Sequence, residues 1–319
     1  TEAVYGYEDE TQRYLGFQLA LLDWIINDEL DFDVIHCHDH HTSLIPFFIN
    51  YCNSFKSLEK TPTVLTIHNA QYQGNFSHER LDLLPEFDFS NVGLLDWYGS
   101  VNPLAAGIKC ASRVNTVSPS YMEELKEKAN GLEGLLRSES EKCIGILNGI
   151  DTAIWNPETD KMLKKNYKST NVVSGKKANK KEICDKYGFD INLPLFGFIG
   201  RLVGEKSADL LPQAIKNAIE EYGDINIFVL GSGHEHIEEE LIELKEFYKG
   251  NFNAHIGYDE ELSHLVYAGS DFLLMPSRVE PCGLNQMYSL RYGTIPIVRR
   301  TGGLKDTVID IGDGGFGIC

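Results

Sequence analysis

Short runs of β-branched and other apolar residues alternate along the chain with segments of helical periodicity, and these runs predict strands. Four of them lie in the first half, at residues 33–37, 63–67, 113–117 and 143–147. Five lie in the second half, at residues 195–199, 226–230, 253–256, 272–275 and 295–298. The intervals are long enough for crossover helices, a pattern typical of open parallel sheets covered on both faces. The predicted fold class is therefore α/β, with two Rossmann-like doubly wound domains.

Two helix signals and a lysine-rich segment complete the predicted organisation. Residues 12–26 carry apolar side chains on one helical face, and Ser120 with Glu123 forms a capping-box pattern at a helix start. Residues 161–186 carry nine lysines, and we interpret them as a solvated, irregular linker rather than a patch for an anionic partner. The predicted domains are residues 1–155 and 156–319. Such domains are expected to bind ligands in an interdomain cleft at the carboxyl ends of their strands.

Length, charge and cysteine content narrow the class of protein. A chain of 319 residues, 42% apolar and 24% charged, suits two globular domains. The 29 basic and 47 acidic residues leave a net charge of −18, which argues against nucleic acid or a membrane as a partner. Seven cysteines without C-x-x-C spacing favour free thiols and a cytoplasmic location. The chain opens without an initiator Met and stops just after a glycine-rich turn, so both ends are expected to be cut.

The densest cluster of potential metal ligands is His-Cys-His-Asp-His-His at residues 36–41. Its spacing does not supply the ligands of a tetrahedral site, because alternate residues of a strand face opposite ways and no second cluster follows. A loop that binds a polar ligand is the favoured interpretation, with a zinc site and plain strand-end packing as alternatives. Asp39, at a strand's carboxyl end, could accept hydrogen bonds from sugar hydroxyls. Asp31 and Asp33 match a D-x-D metal motif, but they lie at the start of their predicted strand and so at its wrong end.

Polar loops follow two further strands of the first half. His68 opens an amide-rich loop with residues that can orient a carbohydrate, since hydroxyls need many donors and acceptors. Asn148 stands in an Asn-Gly turn after the fourth predicted strand and by itself would indicate only a turn.

The second half concentrates cations and glycines after its strands. Arg201 and Lys206 share the loop after the first strand, where they could bind a diphosphate or could pair with Glu205 and nearby carboxylates. Gly-Ser-Gly at residues 231–233 is only part of a dinucleotide fingerprint and does not support NAD binding. Tyr258 follows another strand and either stacks on a base or packs in the core.

Two strand-loop-helix elements near the end of the chain are the most informative. Residues 278–286 place Glu280 beside a proline, and Gly283 is expected to start a helix whose N–H groups face the ligand of Glu280. Residues 299–304 contain Gly302 and Gly303, a pair that lets the backbone approach a phosphate or a sugar hydroxyl.

At this point the chain resembles the bacterial and plant glycogen and starch synthases, retaining glucosyltransferases of the two-Rossmann-domain, or GT-B, type. The resemblance covers nearly the whole chain in order. It rests on the segments HCHDHHT (36–42), TIHNAQYQG (66–74), ILNGIDTAIW (146–155), GRLVGEK (200–206), EPCGLNQ (280–286) and YGTIPIVRRTGGLKDTV (292–308).

The resemblance implies transfer of glucose from ADP-glucose to the non-reducing 4-hydroxyl of an α-1,4-glucan, with retention at C1 and with no metal or other cofactor. Arg201 and Lys206 would neutralise the donor diphosphate, while Glu280 would hold the glucose. Asp39, His68 and Asn148 would reach the glucose from the other domain. The remaining donor-binding residues implied are Tyr258 near the base and Cys282, Gly283, Leu284, Thr301, Gly302 and Gly303 around the diphosphate and sugar.

Three departures accompany the resemblance. The family's K-x-G-G-L loop does not precede Thr1, the segment that follows TGGLKDTV is absent beyond Cys319, and Ser207 stands where the family usually has glycine. A nucleotide-sugar or glucan binding fragment with weak or no activity is therefore the alternative function. ADP-glucose is favoured over UDP-glucose only by the resemblance, and the oligomeric state stays open.

Overall fold

In the computed structural model, which describes residues 6–319, the chain forms two compact units. The first ends at Leu147 and the second begins at Asn148, whereas the sequence analysis placed the boundary after residue 155. Each unit contains a parallel sheet with helices between successive strands, which confirms the α/β prediction. Among residues 6–319, no helix is both long and apolar enough to cross a membrane.

The first unit contains a four-stranded parallel sheet in the order β1-β2-β5-β6 and a small antiparallel pair, β3 with β4. Its strands are β1 (Ile35–His38), β2 (Thr63–Ile67), β3 (Asp96–Trp97), β4 (Ser100–Val101), β5 (Arg113–Thr116) and β6 (Cys143–Gly145). Its helices are α1 (Glu10–Asn27), α2 (Asp39–Thr42), α3 (Ile45–Tyr51), α4 (Val92–Leu95), α5 (Pro103–Cys110), α6 (Pro119–Glu127) and α7 (Glu133–Ser138).

The start of α6 differs from the capping box that was predicted. Ser118, rather than Ser120, is the N-cap, and its hydroxyl accepts a hydrogen bond from the backbone N–H of Tyr121. Pro119 occupies the first helical turn, where its fixed φ suits the helix and its missing N–H costs nothing. The proline therefore moves the helix start two residues upstream.

The second unit contains a five-stranded parallel sheet in the order β11-β10-β7-β8-β9. Its strands are β7 (Leu195–Ile199), β8 (Asn226–Gly231), β9 (Phe252–Ile256), β10 (Phe272–Met275) and β11 (Ile295–Val298). All of β8 is buried, because alternate side chains enter different cores on the two faces of the sheet. Val229 packs with helical residues such as Ile215, and Phe228 with others such as Ile183.

The helices of the second unit show that the lysine-rich segment was only partly an irregular linker. They are α8 (Val172–Tyr187), α9 (Leu211–Tyr222), α10 (Glu235–Phe247), α11 (Glu260–Gly269), α12 (Asn285–Arg291) and α13 (Gly302–Thr307). The prediction was wrong for the second part of residues 161–186, which forms α8 and packs against α11.

Two lysines of α8 explain why this segment is ordered. Lys176 Nζ donates to the carbonyls of Ala268 and Tyr292, at 3.0 and 3.4 Å, and to Thr294 Oγ1 at 2.6 Å. Those carbonyls lie at the ends of α11 and α12, where helix dipoles favour a cation. Lys180 Nζ lies 2.7 Å from Asp271 Oδ2. These lysines therefore join helices and strands instead of facing solvent.

Candidate functional site

The strand order of the second unit locates its candidate site. The chain runs outward from β7 through β8 to β9, then returns to the other side of β7 and continues through β10 to β11. In an open parallel sheet, ligands bind at the carboxyl ends of the strands where this direction reverses. Here the reversal lies between β7 and β10. The loops that leave these strands hold Arg201 and Lys206 on one side and Glu280 on the other.

Backbone and side-chain contacts hold the two loops together. Arg278 donates its backbone N–H to the Glu205 carbonyl at 2.8 Å, and its guanidinium donates to the Gly204 carbonyl and pairs with Asp209. Ser207 Oγ donates to the Pro276 carbonyl at 2.8 Å. The predicted cations and carboxylate are thus presented from one connected framework.

Lys206 and Glu280 contact each other directly across the two loops. Lys206 Nζ lies 2.5 Å from Glu280 Oε2, and the Ser277 hydroxyl donates to the same oxygen at 2.8 Å. The Glu280 side chain is only 6% exposed and that of Lys206 is 24% exposed. The structure therefore brings these two predicted residues together, and each holds the other's charged group in place.

Arg201 makes the local ion pair that the sequence analysis kept as an alternative. Its guanidinium lies 3.1 Å from Glu205 Oε2. The Arg201 side chain is 62% exposed and that of Glu205 is 18% exposed, and an ion pair with one well-exposed partner contributes about 1 kcal/mol. The pair can therefore open at small cost for an anion of higher charge.

Gly302 and Gly303 serve mainly to bring loops together. A Cβ on Gly302 would lie 2.1 Å from the Glu280 carbonyl oxygen, and one on Gly303 would lie 2.2 Å from the Cys282 carbonyl oxygen. Gly303 also donates its N–H to the Glu280 carbonyl at 3.0 Å. That N–H, expected from the resemblance to bind phosphate, is engaged within the protein. The glycine pair thus fixes the position of Glu280 through the backbone.

The residues between Glu280 and α12 form a tight turn, and the helix begins at Asn285 rather than Gly283. Gly283 has a φ of +74°, a left-handed conformation that favours glycine, and Leu284 is the N-cap. Burial raises the pKa of the Cys282 thiol, which also accepts a hydrogen bond from the backbone of Asn148. Thr301 is buried at the N-cap of α13. Cys282 and Asn148 therefore meet within the second unit.

An aromatic cavity of about 340 Å³ opens beside the β7 loop. Four aromatic side chains and Arg201 share its wall, the aromatic ones being Trp155, Tyr258, Tyr267 and Tyr288. Tyr258 is 87% exposed, so core packing, which the sequence analysis had left open, does not account for it. The cavity places aromatic side chains close to a predicted phosphate-binding cation.

Asp39 and His68 lie together at the carboxyl ends of β1 and β2 in the first unit. Asp39 Oδ1 accepts the backbone N–H of His68 at 2.7 Å, and Asp39 has a φ of +52°. A positive φ outside glycine is uncommon and concentrates at functional sites. His68 Nε2 lies 3.0 Å from His38 Nδ1, and burial together with neighbouring histidines lowers the pKa of His38. Within this pair, one ring nitrogen donates a hydrogen bond to the other.

The rest of the histidine cluster serves packing and a polar cavity. His36 Nε2 lies 2.7 Å from Thr66 Oγ1. Burial lowers the pKa of His40 to about 4, and this residue lines an open cavity of about 580 Å³ with Gln71, Gln73 and Asn75. Among residues 6–319, no three His, Cys, Asp or Glu side chains are arranged to hold a metal ion.

Two functional candidates were missed from the sequence. Ser277 lies three positions before Glu280, the first residue of the EPCGLNQ segment, and only the structure places its hydroxyl on that carboxylate. Trp155 lies in the ILNGIDTAIW segment, which was noted for its turn rather than for its aromatic ring. An aromatic residue close to the Asn-Gly turn was the available signal.

Comparisons with known proteins agree with this arrangement. Residues 1–138 match the family model of the starch synthase catalytic domain, and residues 179–316 match that of glycosyl transferases group 1. Glycogen synthase from Flavobacterium johnsoniae is 57% identical over 99% of this chain and 67% of its own length. Glycogen synthase from Thermodesulfovibrio yellowstonii is 43% identical over 95% of the chain and 62% of its own length.

A solved structure gives the same result for the fold. It is the catalytic domain of starch synthase IV from Arabidopsis thaliana bound to ADP and acarbose. The TM-score is 0.87 and the sequence identity 37%, and the match covers 97% of this chain and 65% of that one. The chain thus spans about two thirds of the length of these relatives. The identity to relatives over nearly the whole chain, together with the shared fold, shows that the chain belongs to the glycogen synthase family.

Proposed function

We propose that the protein transfers glucose from ADP-glucose to the non-reducing 4-hydroxyl of an α-1,4-glucan, with retention at C1. The observation that carries the proposal is the Lys206–Glu280 contact at the reversal point of the second sheet, where a cation and a carboxylate are held within one framework. The aromatic cavity beside Arg201 supports a nucleoside diphosphate, and the ADP-bound starch synthase with the same fold favours ADP.

Each group of the second unit has a proposed role in donor binding. Lys206 and Arg201 take up the negative charge that grows on the departing diphosphate, a form of catalysis that depends on fixed charges rather than on proton transfer. Glu280 accepts hydrogen bonds from glucose hydroxyls, and Ser277 keeps its carboxylate oriented. Tyr258 packs near the base. Cys282, Gly283, Leu284, Thr301, Gly302 and Gly303 form the backbone framework that positions Glu280. The proposal assigns no metal ion.

The first unit is proposed to bind sugar. Asp39 and His68 offer a carboxylate and an imidazole at a strand edge, and the amide-rich loop after β2 lines a polar cavity with His40. Such a dense set of donors and acceptors suits glucose hydroxyls. Asn148, whose backbone contacts Cys282, is proposed to contribute its amide to the donor sugar.

Transfer of radiolabelled glucose from ADP-glucose to glycogen tests the proposal directly. We expect incorporation that depends on both substrates and falls sharply in Lys206→Ala and Glu280→Gln. Binding of ADP without any transfer would favour the alternative, a nucleotide-sugar binding fragment. If the chain shows no ADP binding and no glucose transfer, the proposal is contradicted for this chain.

A further inference from the structure

A stack of three aromatic rings forms one wall of the cavity that Tyr258 also lines. The Trp155 ring lies between two others, with centroid distances of 3.9 Å to His264 and 3.8 Å to Tyr288, and both pairs are nearly parallel. Trp155 and Tyr288 line the cavity, while His264 is only 1% exposed. Because both faces of the indole are covered, Trp155 can present only its edge to the cavity. The position of this wall therefore depends on the ring behind it.

Asp160 fixes the orientation of that ring. Its Oδ2 lies 2.7 Å from His264 Nδ1 and 2.5 Å from the Tyr292 hydroxyl, and its Oδ1 accepts the backbone N–H of Met162 at 2.9 Å. Burial alone would raise the pKa of Asp160, but hydrogen bonds from His264, Tyr292 and Met162 hold it below its usual range. Asp160 is therefore a carboxylate, and Nδ1 of His264 carries the proton that it accepts.

The other nitrogen of His264 also indicates that the imidazole serves to bind Asp160. Nε2 is buried and has no hydrogen-bond partner. An unsatisfied buried nitrogen is unfavourable, and a phenyl ring could stack on Trp155 without it. What the imidazole adds is the directional bond to Asp160. That bond sets the plane of the ring on which Trp155 stacks.

We propose that Asp160 and His264 are positioning residues of the nucleotide site, which hold Trp155 and Tyr288 as a fixed wall against which the donor's base packs. The inference rests on the proposed function, because it takes the cavity to be the base site. Neither residue touches the nucleotide. Their effect is to keep the wall in one arrangement before the base arrives, which lowers the ordering cost of binding.

Calorimetric titration with ADP and, separately, with inorganic pyrophosphate distinguishes positioning from general damage. The variants are His264→Phe, which keeps a stacking ring, and Asp160→Asn, which keeps the shape of the carboxylate. Tyr167→Phe is the matched control, because it removes a buried hydrogen bond of 2.7 Å to the Tyr292 carbonyl in the same cluster. Thermal unfolding of each variant shows how much stability it has lost.

We expect His264→Phe and Asp160→Asn to weaken ADP binding by about tenfold, part of what loss of a base-stacking contact costs. Pyrophosphate, which has no base, should bind all variants as it binds the wild type, and Tyr167→Phe should bind ADP within about twofold of the wild type. Equal weakening of ADP and pyrophosphate, or unchanged ADP binding in both test variants, would overturn the inference. If one test variant fails to fold, the other carries the test, and Tyr288→Leu perturbs the same wall from its opposite face. A wild-type chain that binds neither ligand would instead contradict the proposed donor site.

Discussion

Replacement of Lys206 by alanine is expected to weaken ADP binding more than a lost contact alone would. The ammonium is paired at 2.5 Å with a carboxylate that is only 6% exposed. Lys206→Ala therefore removes a cation from the proposed diphosphate site and also leaves Glu280 without that partner. The uncovered negative charge would then face the incoming phosphates.

The magnitudes follow from the burial of the pair. Breaking a buried ion pair costs about 3–5 kcal/mol and breaking an exposed one about 0–1 kcal/mol. Because Lys206 is 24% exposed and Glu280 almost buried, we expect the free energy of unfolding to fall by about 2 kcal/mol. A charge-assisted hydrogen bond contributes about 1.5–3 kcal/mol, so loss of this contact alone should raise the ADP dissociation constant by at least about tenfold, and the uncovered charge of Glu280 should raise it further.

A double-mutant cycle separates the two contributions. In Lys206→Ala/Glu280→Gln the leftover charge is gone, while the amide oxygen can still accept from Ser277. The double variant should therefore recover about fivefold in ADP affinity over Lys206→Ala. Lys249→Ala is the control, because it breaks a Lys–Glu pair whose side chains are 73% and 64% exposed in the same unit. It should leave both stability and ADP affinity nearly unchanged.

Calorimetry at constant ionic strength measures the affinities, and urea unfolding measures the stabilities. ADP binding to Lys206→Ala within twofold of the wild type would remove Lys206 from the phosphate site. No recovery in the double variant would show that Glu280 does not act on the phosphates.

Three further predictions concern the framework of the second unit. Ser207 donates to the Pro276 carbonyl, so Ser207→Ala should lose about 1 kcal/mol of unfolding free energy in urea titrations. Ser207 also has a strained φ of +55°, so Ser207→Gly, which relieves this strain while losing the hydrogen bond, should be nearly neutral. In Gly303→Ala the new Cβ would lie 2.2 Å from the Cys282 carbonyl oxygen, so this variant should lose at least about 2 kcal/mol of unfolding free energy and some ADP affinity. A Cβ on Gly204 would have no atom within 4 Å, so Gly204→Ala should leave both quantities unchanged. Burial lowers the pKa of Lys176 from 10.5 to about 7. Between these two pKa values the unfolded chain binds more protons than the folded one, so the free energy of unfolding should rise by about 2 kcal/mol from pH 7 to pH 9, relative to Lys176→Met. Parallel pH profiles of unfolding free energy for the two proteins would contradict this.

The strands were predictable because each is a short apolar run closed by polar or glycine-rich residues. The structure contains every predicted strand, and no end is shifted by more than two residues. The start of α6 was harder, since Ser118 and Ser120 are both plausible caps and the proline between them decides. The helix α8 was missed because its lysines suggest a solvated surface. Only tertiary contacts show that Lys176 binds helix ends.

For the candidate site, the sequence predicted which loops and which residue types take part, but not which side chains contact each other. Strand-end positions and the family resemblance singled out Lys206 and Glu280, but their direct contact joins residues 74 positions apart. The Asp160–His264 contact joins residues 104 positions apart and neither lies in a segment with a chemical signature. Likewise, Gly302 and Gly303 suggested a phosphate cradle, whereas the structure shows that they permit close packing against Glu280 and Cys282.

A crystal structure of the chain with ADP tests the donor site most directly. The account predicts diphosphate oxygens within about 3 Å of Lys206 Nζ, as expected for a charge-assisted hydrogen bond, and the adenine in the cavity lined by Tyr258 and Trp155. ADP bound away from the loops that follow β7 and β10, with the Lys206–Glu280 pair undisturbed and the cavity empty of base, would contradict it.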